Sequence, residues 1–116
     1  FPEGTTSDGN GIKQFKSSML ECAFDEKNLI HIQPISICYS RKNNLPMGLF
    51  LRRHISWVGD TSMVDAMINF LSSGPVTVEL VFHNELNASS FNNRKDLTYY
   101  CENQILQGIN QTLKIS

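Results

Sequence analysis

Residues 1–7, Phe1-Pro2-Glu3-Gly4-Thr5-Thr6-Ser7, set one carboxylate, one glycine and three hydroxyls side by side. That set suits binding to an acidic or oxygen-rich group. Thr5, Thr6 and Ser7 offer hydroxyl donors and backbone amides, and Gly4 lets a partner approach the backbone closely. Glu3 is an acceptor when ionised, so it orders donors and does not itself attract an anion. Lys13 and Lys16 follow within a few residues and bring positive charge. A strand-exit loop that satisfies its own polar groups has the same composition. The residue types alone therefore leave a ligand loop and a plain connection equally open. No set of His, Cys, Asp and Glu has metal-ligand spacing.

The elements that must position these residues follow in order. Proline fixes its own φ and biases Phe1 toward extended geometry, so Phe1-Pro2 reads as the last step of a strand. Asp8-Gly9 and Asn10-Gly11 are turn signals. Phe15, Met19, Leu20, Ala23 and Phe24 recur at helical spacing and predict a helix over 14–24. A polar turn at 25–28 leads to an isoleucine-rich stretch at 29–39, expected to be a strand buried on both faces, with Pro34 as its weak point. The region from Arg41 to Asp60 carries no clear period. Met63, Val64, Met67, Ile68 and Leu71 form one stripe of a helix, with Ser62 and Asp65 placed as a capping box. Ser72-Ser73-Gly74-Pro75 stops that helix. Val76, Val78, Leu80 and Phe82 alternate with polar residues, as in a half-buried strand. Leu97, Cys101, Ile105, Ile109 and Leu113 mark a last helix over 92–113.

Alternation of strand and helix predicts an α/β fold, here the C-terminal part of a mixed, mainly parallel sheet with helical crossovers. In such sheets ligands gather at the carboxyl ends of strands, where residues 1–7 would lie. The chain has 116 residues, enough for one domain or part of one. Its 41% hydrophobic and 18% charged content argues against disorder. A formal charge of −1 gives no support to nucleic-acid binding. Cys22, Cys38 and Cys101 have no paired spacing and read as buried free thiols. Trp57 suits a membrane interface, but reads first as a core anchor. Arg41, Lys42, Arg52 and Arg53 form a basic group that either faces anionic headgroups or is simply solvated.

Phe1-Pro2-Glu3-Gly4-Thr5, the Phe15-Lys16 pair and Ile32-Gln33-Pro34-Ile35-Ser36-Ile37 together resemble the glycerolipid (lysophosphatidate-type) acyltransferase family. The first block is similar to the third of that family's four motifs, and the proline-centred strand to the fourth. Trp57-Val58-Gly59-Asp60 and residues 91–105 extend the resemblance to nearly the whole chain. It implies acyl transfer from a thioester, carried by an acyl-carrier protein or coenzyme A, to the hydroxyl of a lysolipid such as 1-acyl-glycerol-3-phosphate. No cofactor beyond that co-substrate is implied. Family members use a histidine separated by four residues from an aspartate as general base, with donors for the developing oxyanion. Neither His31 nor His83 has such a partner, and His54 stands six positions from Asp60.

The resemblance assigns a catalytic-loop role to Glu3 and substrate contacts to Gly4, Thr5, Thr6, Ser7, Lys16, Gln33 and Pro34. Many members carry arginine after the threonine. Thr6 stands there in this chain, which leaves room for an acceptor such as a lyso-ornithine lipid. Residues 1–116 are then expected to be the C-terminal half of an acyltransferase domain, with the base-bearing half upstream and the isolated piece inactive. The expected setting is the cytoplasmic face of a bacterial-type membrane, with an uncovered sheet edge that invites self-association. A non-enzymatic module binding a lipid headgroup or a protein is the alternative.

Overall fold

The computed structural model describes residues 2–24 and 30–115; of Phe24 and Ile115 it describes the backbone. After an irregular loop, Ser17–Phe24 winds as a 3-10 helix. Strands β1 (His31–Ile32) and β2 (Ile35–Lys42) follow, then the short β3 (Leu45–Pro46). Helices α1 (Leu49–Ile55) and α2 (Met63–Ser72) lead to β4 (Val76–Phe82) and β5 (Leu86–Asn87). Helix α3 (Arg94–Ile115) ends the described chain.

Helix α2 forms where the apolar stripe places it. The Ser62 side chain accepts a bond from the Asp65 amide at 3.1 Å and so satisfies an orphan donor of the first turn. Helix α3 starts in the same way, with the Asp96 amide on Asn93 Oδ1 at 2.9 Å and Asn93 Nδ2 on Asp96 Oδ2 at 3.0 Å. The 14–24 stretch differs from expectation. The Phe15 amide bonds the Glu102 carboxylate at 2.9 Å instead of joining a helix. The turns after it have the 3-10 period of about three residues, so the 3.6-residue stripe does not stay on one face. Phe15 and Ala23 are buried, while Met19 and Cys22 are exposed. Cys38 and Cys101 are buried thiols as expected, and Cys22 is not.

The molecule is α/β, but its described sheets are antiparallel, which corrects the expectation of a mainly parallel sheet. One sheet has the order β3-β2-β4 and the other pairs β1 with β5. Ile35 faces Phe82 and Lys42 faces Val76 across an antiparallel ladder. Residues 43–75 therefore leave and re-enter the sheet at the same end, and the Asn43 amide bonds the Pro75 carbonyl at 2.9 Å to close the excursion. A parallel pairing would need the helices to carry the chain back along the whole sheet. Pro34 divides the predicted 29–39 strand into β1 and β2, as a missing ladder donor requires. The turn at 25–28 and Leu29 lie outside the described residues.

The two faces of β2 and β4 differ. Ser36, Cys38 and Ser40 are buried beneath α3, whose Gly108 comes so close that a Cβ there would lie 2.4 Å from Ser36 Oγ. Ile35 and Ile37, with Val78, Leu80 and Phe82 across the ladder, are exposed. The strand expected to be buried on both faces is thus buried on its small-residue face only. Phe70 of α2 meets Tyr39 edge-on at 6.4 Å at one end of the open face. The core lies elsewhere, where Phe15, Ala23, Ala88, Leu97 and Cys101 pack with Ile12, Leu20, Ile32 and Leu86.

Candidate functional site

The loop over residues 2–16 is stapled at four places. Its base closes where the Lys16 amide bonds the Pro2 carbonyl at 2.8 Å. Across it, the Lys13 amide donates to Glu3 Oε2 at 2.9 Å. Phe15 sinks into the core and ties the loop to α3 through Glu102. At the far tip, Asn10 Nδ2 donates to the Leu49 carbonyl at 3.1 Å, and Asn10 Oδ1 accepts from Arg52 Nε at 2.9 Å.

Local chemistry explains that shape. Asp8 Oδ1 accepts from the Asn10 amide at 3.1 Å, an Asx turn. This amide, with the Asn10 side chain, holds the Asp8 carboxyl below its usual value, with a smaller contribution from the Arg53 charge. Gly9 has φ +74°, and a Cβ on it would meet Ser56 Oγ at 2.7 Å. Ser7 Oγ donates to the Gly11 carbonyl at 3.3 Å. Arg52 is buried, and its partners are neutral: Asn10 Oδ1 and, through Nη1, the Met47 carbonyl. The sequence shows Asn10 as a turn residue; nothing in it joins Asn10 to an arginine far along the chain.

The loop brings Glu3, Gly4 and Lys16 together. Gly4 has φ +68°, and the Lys16 ammonium lies over it, 2.9 Å from where a Cβ would sit. Thr5 and Thr6 beside it are exposed, and Ser7 is half-buried. A bare glycine backbone, an ammonium and free hydroxyls make a donor surface for anionic oxygen, while the Glu3 carboxylate is occupied in ordering the loop. Phe1, on which the strand-end expectation falls, lies outside the described residues; Pro2 and Glu3 form a turn.

Gln33 and Pro34 are engaged elsewhere. Gln33 Nε2 donates to the His83 carbonyl at 3.1 Å, and the His83 amide bonds the Pro34 carbonyl at 3.0 Å. They fix the entry to β2 against the exit of β4. The His83 ring meets Ser36 Oγ at 2.7 Å, a pairing unforeseen in the sequence. It is not a nucleophile and its base. Ser36 spends its one proton on the Ile105 carbonyl at 2.8 Å, so His83 Nε2 must be the donor to Ser36. The pair clamps α3 to the sheet. His54 is exposed and stacks on Phe50, and His31 pairs with Glu85 at 3.2 Å. Trp57, read as a core anchor, is exposed, with its indole N–H on the Thr61 carbonyl at 2.7 Å, because no described element covers it. Among the described residues no group of three His, Cys, Asp or Glu is placed to hold a metal ion.

Comparison with known proteins adds the deciding observation. The chain is 29% identical, over 98% of its length, to a lyso-ornithine lipid O-acyltransferase of Rhizobium meliloti (strain 1021). It is 32% identical over 90% to one of Brucella abortus (strain 2308), and 31% over 96% to one of Rhodobacter capsulatus. The chain is similar to these three enzymes over nine-tenths or more of its own length. It spans about two-fifths of the length of these relatives, 41%, 41% and 40% respectively. No family model and no solved structure matches the chain.

Proposed function

We propose that this chain is the substrate-loop portion of an O-acyltransferase that moves a fatty acyl group from a thioester to the hydroxyl of a lyso-ornithine lipid. Similarity along nearly the whole chain to three such enzymes carries the reading. Thr6 supports the acceptor: an amino-acid headgroup has no phosphate to demand an arginine after Thr5. The 1-acyl-glycerol-3-phosphate acceptor is the second choice for the same reason. The donor is an acyl-carrier-protein or coenzyme A thioester, and the reaction runs at the cytoplasmic face of a bacterial membrane, where those thioesters meet lipid.

In this scheme Glu3 keeps the 2–16 loop in register through the Lys13 amide, and Gly4, Thr5, Thr6, Ser7 and Lys16 line the acceptor side. Gln33 and Pro34 shape the neighbouring wall at the start of β2. The proton from the acceptor hydroxyl goes to a histidine held in the upstream half of the domain, outside residues 1–116. Residues 1–116 alone, without a His-x-x-x-x-Asp base, transfer no acyl group.

The test is the full-length protein with an acyl thioester, offered lyso-ornithine lipid or lysophosphatidate. Diacyl product from the first is expected, and Glu3→Ala, which leaves the Lys13 amide without its acceptor, lowers its rate by about 100-fold, the order lost when a site residue is misplaced by about 1 Å. Absence of product with every lysolipid would refute the acyltransferase. Full rate in Glu3→Ala would remove Glu3 from the machinery.

A further inference from the structure

We propose that the outward surface of residues 41–57 seats the protein on an anionic lipid bilayer. On α1, Arg52 and Ile55 are buried and mark the inner side. Phe50 lies opposite them and is 81% exposed, with Leu49 at 66% and the exposed Arg53 and His54 around it. Leu45, 70% exposed, tips the hairpin in which Arg41 and Lys42 pair with Pro46 and Leu45. Trp57, 42% exposed, comes two residues after α1.

Single exposed apolar residues are ordinary on a protein surface. Charge sets this group apart. Residues 41–57 hold four of the ten Lys and Arg and none of the eleven Asp and Glu. The stretch thus carries +4 in a chain of −1, which leaves −5 on everything else. Arg52 is turned inward, so Arg41, Lys42 and Arg53 remain for the surface, with His54 when it is protonated. Asp8 is the carboxylate that feels the Arg53 charge. Each lysine or arginine near an anionic leaflet contributes about 1 kcal/mol of attraction, and aromatic and leucine side chains lodge at the headgroup level.

A bilayer suits this surface and not the open face of β2 and β4. At the ends of α1 the Gly48 and Arg52 carbonyls accept from the Arg52 and Ser56 amides, and the Leu49 carbonyl accepts from Asn10. Edge strand β4, seven residues long, would carry a row of unpaired N–H and C=O groups into hydrocarbon at several kcal/mol each, whereas the other edge, β3, is two residues long.

The surface is inferred on the reading that the protein works at a membrane, and its test needs no turnover. Trp57 is the only tryptophan of the chain, is exposed and follows α1 by two residues. The 116-residue chain is mixed with phosphatidylcholine vesicles, or with vesicles one-third phosphatidylglycerol, each made with brominated acyl chains. Quenching and a blue shift of Trp57 are expected with the anionic vesicles, fading as salt rises from about 0.05 to about 0.5 M. Phe50→Ala lowers the partition coefficient about tenfold and Arg53→Gln about fivefold; both side chains are exposed, so neither change opens the core. Binding that leaves Trp57 unquenched, or that ignores both substitutions, overturns the proposed surface while a membrane role through other residues stands. Failure to bind any vesicle overturns it as well, and acyl transfer by the full-length protein is then still decided by its own assay.

Discussion

At the scale of single residues, the Glu3 loop depends on Gly4. Its positive φ is closed to most side chains, and the space above it is filled by Lys16. Gly4→Ala is expected to lower stability by about 1–2 kcal/mol, the usual cost of a left-handed L-residue, and to displace the lysine; urea denaturation reads the first effect. The thiols make a second test. Burial pushes the Cys38 and Cys101 thiols above their ordinary value of 9.0, whereas Cys22 is exposed. Iodoacetamide at pH 8 should label Cys22 first, with the other two reacting only on unfolding. The same burial gives a pH dependence of known sign. Below about 9 these thiols are protonated in both states and stability is unaffected. Above it the unfolded chain releases protons that the folded one keeps, so stability falls as pH rises. Flat stability from pH 8 to 10 would contradict this burial.

At the scale of elements, α3 and the sheet meet through a glycine. Gly108→Ala gains about 1 kcal/mol of helix propensity, but its Cβ would strike Ser36 Oγ at 2.4 Å and the His83 ring at 2.8 Å. Ser36 holds two hydrogen bonds and has nowhere to move, so a net loss of about 1–3 kcal/mol is expected in thermal unfolding. A neutral result would show that the clamp yields. The elements also divide by how far sequence could reveal them. Helices α2 and α3 were legible because their caps and stripes are local. Helix α1 was not: Leu49, Phe50 and Leu51 have no period, and Gly48 supplies no side-chain cap. It is held by Asn10 and by Arg52, contacts made 39 and 42 residues apart. The turn residues of the 2–16 loop were visible in the same local way, while its anchoring to α1 was not. Sheet direction was hidden because it depends on which end of β2 the chain returns to, and apolar alternation is the same either way.

At the scale of the whole molecule, apolar side chains on one face of β2 and β4 and along α2 stand in solvent. Met63, Val64, Met67, Ile68 and Leu71 are all exposed, as are Ile35, Ile37, Leu80 and Phe82. Burying apolar surface yields about 25 cal/mol per Å², and edge strand β4 offers a backbone ladder beside it. The 116-residue chain is therefore expected to self-associate, with sedimentation showing dimers or larger species as concentration rises. Introducing Leu80→Lys should shift it toward monomer. A monomer at all concentrations would count against this. The relatives are about two and a half times as long, and on the proposal that this chain is one portion of such an enzyme, the remaining polypeptide is what covers these faces.

The closed excursion between Lys42 and Val76 makes this chain modular. Its two ends are paired neighbours on adjacent strands, so a tight hairpin turn in place of residues 43–75 would preserve the register of β2 and β4. The loss would fall on the clasp between Asn10 and α1, and on most of the bilayer-facing surface. A change within this cassette can accordingly alter the surface the protein presents while the β2–β4 ladder beneath it keeps its register.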